Sequence, residues 1–371
     1  KECDWSSDVC SSDLAVTYSP NRTVKSGETL TITATFNEPM TTAPTITLGG
    51  KNTVAATAMT ATSSTVWTYA HTVASGNGNV TVTLAGTDTA GNSLGTVTGT
   101  TFEVDNTAPT VAITYQEIDD NASVPTSGYL STLAHSVRGA KSVAIQVTAT
   151  EAGGSATVTG SPTVSVTPSG GSASTVTLTE SASGSKIWRG IYDVPSTGSD
   201  GTATVSLTVS GISDEAGNVA AVASSQTTSF IIDNTTPSVV LTYSDGGSSD
   251  ATGPYKSGDS VTVTATFTET NALSGTPTLT LVAGTHTGGT LPTVTLAGSG
   301  LVYNGTFTIP AGDGTVTATV GATDTAGNTL TATGQTGFII DNTTPTVALA
   351  YTDGGAANVS GPYKSRSEEH T

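Results

Sequence analysis

Two short acidic motifs recur along the chain, and both carry oxygen-rich side chains. The pattern Asp-Xaa-Ala-Gly-Asn begins at Asp88, Asp214 and Asp324. The pattern Asp-Asn-Thr-Xaa-Pro follows each copy 17 to 19 residues later, at Asp105, Asp233 and Asp341. Ca²⁺ takes about six to eight hard oxygen ligands from carboxylates, amide carbonyls, backbone and water. The two motifs therefore hold the residue types of a calcium site.

A second interpretation of the same residues stays open. The Asp of Asp-Xaa-Ala-Gly-Asn can cap a turn through its own backbone, with the Gly supplying a positive φ. The segment Asn-Thr-Thr-Pro can be an extended linker stiffened by proline. No EF-hand pattern accompanies the motifs.

The elements that must position these acids are β-strands. Val261, Val263, Ala265 and Phe267 alternate with Thr262, Thr264 and Thr266, and such alternation is typical of half-buried strands. In the third repeat the pattern predicts strands at 237–244, 259–268, 276–282, 291–297, 301–309, 314–321 and 329–340. Seven short strands separated by Gly, Asn, Asp and Pro predict an immunoglobulin-like sandwich. The predicted core aromatics are Phe36, Trp67, Tyr69, Trp188, Tyr192, Phe267, Tyr303, Phe307 and Phe338.

The chain is a tandem array. The stretch Lys25 to Phe36 returns as Lys256 to Phe267 and begins again at Lys364. The predicted fold is therefore all-β, a linear array of seven-stranded immunoglobulin-like sandwiches. The predicted segments are 15–107 for a first repeat truncated at its N-terminus, 108–236 for a second with longer loops, 237–344 for a third, and 345–365 for the start of a fourth.

The two ends differ from the rest of the chain. Residues 1–14 and 366–371 can be encoded by opposite strands of one sequencing adapter, so neither end is expected to be native. Cys3 and Cys10, the only cysteines, lie in or beside the first of these segments. They therefore predict no disulfide.

Sandwich topology predicts where the acids meet. The second-to-third and sixth-to-seventh strand loops return to the pole at which the chain enters, so the incoming linker lies beside both. Acids gathered there repel one another, and a cation offsets the repulsion. The expected ligands are Asp233, Asn234, Glu269 and Asp324 in the third repeat, and Asp105, Asn106, Glu151 and Asp214 in the second, with Glu215 as an additional candidate. In the first repeat Glu38 and Asp88 would face a linker that precedes the fragment.

A family resemblance rests on three motifs in order. Phe36-Asn37-Glu38-Pro39, the turn beginning at Asp88 and the linker beginning at Asp105 resemble the bacterial Ig-like repeats of large surface adhesins, across nearly all of 15–365. The resemblance implies tandem β-sandwich extender domains on a secreted or cell-surface protein, with calcium between domains in some relatives. The second repeat departs from the pattern, since Asp214 is followed by Glu215 and Glu151 is not preceded by the Phe-containing motif.

Composition excludes several functions. With 11 basic and 29 acidic residues and a net charge of −18, the chain is a poor partner for nucleic acid and a good one for cations. Its apolar runs are too short for a membrane-spanning helix. The string Gly91 to Gly95 matches Gly-Xaa-Ser-Xaa-Gly, but it overlaps the repeated turn and the sister repeats lack the serine. His71, His135 and His286 occupy unmatched positions, so neither a catalytic nor a zinc site is expected.

The sequence thus predicts a structural role. We expect a stalk segment of a bacterial cell-surface or secreted adhesin, a semi-rigid rod whose partners are its neighbouring repeats. A host or matrix ligand would be bound by parts outside the fragment. Two alternatives are an Ig-like module that itself binds a glycan or host protein, and accessory domains of a large extracellular enzyme.

Overall fold

Every regular element in the computed structural model is a β-strand, within the described residues 14–94, 100–152, 157–223, 226–246 and 252–349. The chain divides into two compact units, Lys1–Thr235 and Thr236–Thr371. The first unit holds two sandwiches with separate hydrophobic cores, and the second unit holds one. The predicted fold class, tandem all-β Ig-like sandwiches, is confirmed.

The first sandwich pairs two four-stranded sheets, β1-β2-β6-β5 and β4-β3-β7-β8. Alternating residues of β2, such as Leu30 and Ile32, are fully buried between the sheets, while the intervening threonines face outward. The strands are β1 Ala15–Ser19, β2 Thr29–Thr35, β3 Thr45–Leu48, β4 Val54–Ala58, β5 Thr60–Ala61, β6 Val66–Thr72, β7 Gly78–Ala85 and β8 Thr101–Val104.

The second sandwich is larger and lies in the same unit. A five-stranded sheet, β14-β15-β10-β9-β18, faces a four-stranded sheet, β13-β12-β16-β19, and β11 pairs with β17 beside them. The strands are β9 Thr110–Asp119, β10 Lys141–Thr150, β11 Val158–Thr159, β12 Thr163–Thr167, β13 Ser174–Val176, β14 Thr179–Glu180, β15 Ile187–Asp193, β16 Gly201–Thr208, β17 Ser213–Asp214, β18 Ala221–Val222 and β19 Ser229–Ile232.

The third sandwich has the sheets β20-β21-β25-β24 and β22-β26-β23, with β27 also paired to β26. Its strands are β20 Ser238–Ser244, β21 Ser260–Thr268, β22 Thr278–Ala283, β23 Thr287–Gly288, β24 Ala297–Ser299, β25 Val302–Thr308, β26 Gly312–Thr323 and β27 Thr329–Ile340. The predicted strand at 291–297 is wrong over 291–296, because those residues make only an isolated bridge from Val294 to Leu279. Pro292 has no N–H to offer a ladder, and the regular pairing starts at Ala297.

The predicted aromatic core is largely confirmed. Eight of the nine aromatics are buried, and Tyr69 is half-buried against the first core. In the third sandwich Phe338 meets the rings of Tyr243 and Tyr255 edge-on, at centroid distances of 5.2 and 5.7 Å. Such pairs favour edge-to-face packing, because the ring edge is positive and the face negative.

In each sandwich, the segment between the first and second strands lies beside the end of the last strand. Val24 pairs in parallel with Val104, Val137 with Ile232, and Tyr255 with Ile340. The backbone carbonyls of Val24, Val137 and Tyr255 each accept a hydrogen bond from the N–H of the Asp that begins the following linker. Asp105 N, for example, donates to Val24 O at 2.9 Å. This pairing fixes the position of each linker acid relative to its own sandwich.

The predicted adapter ends, apart from Leu14, and the predicted fourth repeat beyond residue 349 lie outside the described residues. Among the residues that are described, no helix has the length and apolar character needed to cross a membrane.

Candidate metal centre

The three Asp-Xaa-Ala-Gly-Asn turns share one local geometry. The Asp Oδ1 accepts the backbone N–H of the Asn four residues later, at 2.8 Å for Asp88, 2.8 Å for Asp214 and 2.9 Å for Asp324. The Asp Oδ2 accepts the Asn side-chain Nδ2 at 2.9, 2.8 and 2.9 Å in the same order. Each Asp therefore caps its own turn. Each carboxylate oxygen carries two lone pairs, so turn capping leaves room for a cation.

Glycine is required at the fourth position of these turns. Gly91, Gly217 and Gly327 have φ values of 91°, 82° and 90°. Residues with a Cβ seldom adopt this left-handed region, whereas glycine does so without steric cost. The recurring Gly thus has a backbone reason independent of any ligand.

The linker acids also share a local geometry. Oδ1 of Asp105 accepts the N–H of Thr107 at 2.9 Å, Asp233 accepts that of Thr235 at 3.0 Å, and Asp341 repeats the contact with its own Thr. This is an Asx-turn, in which a short side chain replaces a backbone acceptor. Asp105 is fully buried and Asp233 is 4% exposed.

At the junction inside the first unit, three predicted ligands come together. Carboxylate oxygens of Asp105, Glu151 and Asp214 all lie within 4.8 Å of one another. Asp105 and Asp214 are buried, and Glu151 is half-buried. Asn218 ties the group together, since its Nδ2 donates to Asp105 O at 2.9 Å and to Asp214 Oδ2 at 2.8 Å.

This group fits the chemistry of a divalent cation. Ca²⁺–O distances are about 2.3–2.6 Å, so oxygens up to about 5 Å apart can share one ion. Three carboxylates at this spacing repel each other more strongly than in water, because buried charges are poorly screened. Glu151 Oε1 already accepts the N–H of Ala152 at 2.8 Å, which fixes the side chain toward the group.

The structure gives Asn106 and Asn234 a different task. Asn106 Oδ1 accepts the N–H of Ser26 at 2.8 Å, and its Nδ2 donates to Gly76 O at 2.8 Å. Asn234 does the same in the second sandwich, with Gly139 N at 2.6 Å and Pro195 O at 3.1 Å. These amides bind the linker to the sandwich that precedes it, and their role as metal ligands stays a prediction.

Sequence analysis missed a third recurring element. Asn77 Oδ1 accepts the N–H of Asn106 at 2.8 Å, and Asp200 Oδ1 accepts that of Asn234 at 2.8 Å. Asp313 Oδ1 makes the equivalent bond to Asn342 at 2.5 Å. Each of the three acceptors is followed by a glycine, in Asn77-Gly78, Asp200-Gly201 and Asp313-Gly314. That recurring pair was the available signal.

The residues expected for the third repeat divide between the two units. Within the second unit, carboxylate oxygens of Glu269 and Asp324 lie within 4.8 Å of each other. Asp324 is 1% exposed, and Glu269 Oε1 accepts the N–H of Thr270 at 2.6 Å. Asp233 belongs to the first unit, so the complete set stays a prediction.

In the first repeat the two expected acids are more open. Glu38 is exposed and Asp88 is half-buried, and neither joins a metal-type group among the described residues. Hydrogen bonds from the Asn92 side chain and backbone hold the pKa of Asp88 below its usual range. Glu215 is exposed and accepts the Thr157 hydroxyl at 3.2 Å, and it is not a member of the carboxylate group.

The histidines take separate structural positions. His71 is buried, with Nε2 2.9 Å from Asn52 Oδ1, and burial lowers its pKa. His135 is exposed beside Glu117, and His286 lies near Ala311 O in the third sandwich. Ser93 bridges Thr87 across the first turn, while Gly95 of the predicted Gly-Xaa-Ser-Xaa-Gly string lies outside the described residues.

The chain matches a family model described as bacterial Ig-like domain (group 3), over residues 63–226 and 301–361. Among solved structures it is similar to a 1.5-MDa bacterial ice-binding adhesin, with 19% identity, 88% of this chain and 98% of that chain covered, and a TM-score of 0.44. A Ca²⁺-stabilised adhesin of an Antarctic bacterium gives 22% identity, 88% and 74% coverage, and a TM-score of 0.30. The I9–I11 tandem of titin gives 10% identity, 88% and 98% coverage, and a TM-score of 0.28.

A search of curated protein sequences gave no match. The family model, however, covers more than half of the chain. Its match includes all three recurring turns and the linkers that begin at Asp105 and Asp341. The chain belongs to the bacterial Ig-like domain family.

Proposed function

We propose that this chain is a stalk segment of a secreted or cell-surface bacterial adhesin, in which Ca²⁺ stiffens the junctions between sandwiches. The observation that carries the proposal is the carboxylate group of Asp105, Glu151 and Asp214. One of its members comes from the linker and two come from loops of the next sandwich. The proposal gives the chain no catalytic role, and its partners are its own neighbouring repeats.

Short, fixed linkers support the stalk role. In the second sandwich, Asp200 binds the linker through Asn234 N at 2.8 Å and through the Thr235 hydroxyl at 2.6 Å. Asn234 Oδ1 holds the opposite side of the linker through Gly139 N at 2.6 Å. A linker held on both sides cannot act as a flexible coil. The preceding sandwich therefore determines the direction in which the chain leaves it.

The cation would complete the junction from the other side. Asp105 is fixed to the first sandwich through Val24 O, and Glu151 and Asp214 are fixed to loops of the second. A Ca²⁺ ion bound by all three would join the two sandwiches and offset their mutual repulsion. By repetition, we extend the proposed ligand role to Asp233, Glu269 and Asp324, and to Glu38 and Asp88 at the pole of the first repeat.

Thermal unfolding of the full chain tests the proposal. We expect the melting temperature to rise across a calcium titration that starts in EDTA. A calcium concentration about 100 times Kd stabilises the binding state by about 2.7 kcal/mol. Asp105→Asn and Glu151→Gln keep their backbone-accepting oxygens and remove a charge, so they should reduce the rise. Asp120→Asn, at an exposed acid of the second sandwich, is the matched control.

Two outcomes would contradict the calcium part. The first is a melting temperature that stays unchanged up to millimolar calcium. The second is an Asp120→Asn variant in which the calcium-dependent rise in melting temperature is reduced as much as in Asp105→Asn. The acids would then be turn and linker residues alone. The stalk role would rest on the repeat architecture and the fixed linkers.

A further inference from the structure

A lysine of the first sandwich reaches the acidic turn of the second. Lys25 Nζ donates a hydrogen bond to Gly217 O at 2.5 Å. Gly217 lies in the turn whose Asp214 belongs to the carboxylate group. The contact joins the two sandwiches of the first unit through a residue that is not an acid.

The backbone around Lys25 is braced on both sides. Val24, immediately before it, pairs with Val104 and accepts a hydrogen bond from Asp105 N at 2.9 Å. Ser26, immediately after it, donates its N–H to Asn106 Oδ1 at 2.8 Å. Lys25 therefore moves together with the linker rather than with a loose loop.

Charge favours the contact. The turn offers Asp214 and Glu215, and Arg22 lies three residues before Lys25. The hydrogen bond that Arg22 donates to Glu28 raises the pKa of Arg22 most, and the charges of Glu215 and Asp214 contribute less. The basic segment and the acidic turn thus attract each other across the junction. A lysine ammonium is a compact charge with three donors, which suits a single carbonyl approached end-on.

The same position is basic in each sandwich. Arg138 follows Val137, which pairs with Ile232, and Lys256 follows Tyr255, which pairs with Ile340. The pairing therefore places the backbone of one basic residue beside that of each linker acid. The sequence Lys-Ser that begins at Lys364 repeats this pattern.

We propose that Lys25 is a positioning residue, a latch that fixes the rotation of the second sandwich about the linker by binding the carbonyl of Gly217. This inference rests on the proposed stalk function and adds to it a contact that needs no metal. A cation held at the linker restrains the distance between two sandwiches. A second contact on another side of the turn restrains rotation as well.

Distance measurements between the two sandwiches test the latch. Spin labels at Thr83→Cys on β7 and Thr204→Cys on β16 would be introduced in the full chain carrying Cys3→Ser and Cys10→Ser. Double electron–electron resonance would then be recorded in EDTA and in calcium. Lys25→Met should broaden the distance distribution in both conditions, and Lys25→Arg should restore the narrow one. Lys51→Met, at an exposed lysine of the same sandwich, should change nothing.

Lys25→Gln provides a second neutral variant, and unchanged melting of the first sandwich shows that a broadened distribution reflects the junction. The latch is overturned if neutral variants at position 25 give the wild-type distribution in EDTA, or if Lys51→Met broadens it equally. The two proposals fail differently. If calcium does not narrow the distance distribution while Lys25→Met still broadens it, the calcium site is lost and the latch stands. If calcium narrows the distance distribution and substitutions at position 25 have no effect, the latch is lost and the calcium site stands.

Discussion

The turns at Asp88 in the first sandwich and Asp214 in the second have the same internal hydrogen bonds and different surroundings. Asp88 is half-buried and the rest of its turn is exposed. The described contacts of this turn come from its own sandwich, as when Thr89 N donates to Pro39 O at 3.2 Å. Asp214 is 3% exposed. Asn218 of its turn reaches the linker at Asp105 O, and Gly217 receives Lys25.

The difference shows that one motif can fold by local rules and acquire a second role from what covers it. Oδ1 and Oδ2 of the Asp satisfy the Asn backbone and side chain in both turns. Only the turn at Asp214, of these two, has a linker acid against it in the described residues. Burial then makes each hydrogen bond harder to replace by water.

The largest expected effect separates the two turns directly. Asp214→Ala removes two charge-assisted bonds from a buried turn and leaves the backbone N–H of Asn218 without its acceptor, which should lower the free energy of unfolding by about 3 kcal/mol in EDTA. Asp88→Ala should cost clearly less, since water replaces the lost bonds. Urea unfolding, followed by the fluorescence of Trp67 and Trp188 in their respective sandwiches, measures both. Equal losses would show that burial of the turn adds nothing.

A smaller effect is expected one step along the turn. Asn218→Ala removes the side-chain hydrogen bonds to Asp105 O and to Asp214 Oδ2. Asn92→Ala removes only the side-chain hydrogen bond to Asp88 Oδ2. We expect a loss of about 1.5 kcal/mol for Asn218→Ala, larger than that for Asn92→Ala. The same unfolding curves provide the measurement. A loss for Asn92→Ala that matches or exceeds it would refute the linker contact as the source of the difference.

A third difference between the two sandwiches lies at the loop before the second strand. Ala140 has a φ of 67°, where the first and third sandwiches have Gly27 at 85° and Gly258 at 94°. A left-handed conformation costs an L-residue about 1 kcal/mol. Ala140→Gly should therefore stabilise the second sandwich by about 1 kcal/mol, and Gly27→Ala should destabilise the first. Ala221→Gly, in an exposed strand position, is the control and should not stabilise.

The smallest expected effect concerns pH. Burial lowers the pKa of His71 in the folded first sandwich, so the unfolded chain binds this proton more tightly. Stability from the neutral ring is complete above the unfolded pKa of about 6.5 and is lost as the pH falls below it. His71→Gln should flatten the pH dependence of the free energy of unfolding of the first sandwich between about pH 5 and 7, measured by Trp67 fluorescence. An unchanged slope in that variant would assign the dependence to other groups.

Local patterns predicted most of the fold. The alternation of Val261 to Phe267 placed a strand and both of its faces correctly, because burial follows the period of the strand. The three turns were predictable for the same reason, since their bonds join residues four apart. The segment 291–296 was predicted wrongly, because alternation at Val294 and Leu296 reports burial and does not require a ladder.

The site was predictable only in part. Topology correctly indicated that Asp105, Glu151 and Asp214 would meet, since loops at one pole of a sandwich are neighbours. The partners of Asn106, at Ser26, Gly76 and Asn77, depend on how three distant loops pack. The sequence around an Asn is the same whether its side chain binds a metal or forms hydrogen bonds between loops. Lys25 was likewise identified as part of a repeat and not as a contact.

The parallel pairing of the segment before the second strand with the last strand of each sandwich has a mechanical consequence. Val24 N donates to Glu103 O at 3.0 Å, and Asp105 N donates to Val24 O at 2.9 Å. Tension applied to the two termini of the sandwich pulls these neighbouring segments past each other, so the bonds are loaded together in shear. An antiparallel pair pulled from one end would instead unzip bond by bond. The second and third sandwiches have the same arrangement at Val137 and Tyr255, so each would resist extension through the pairing of its last strand with the segment that precedes its second strand.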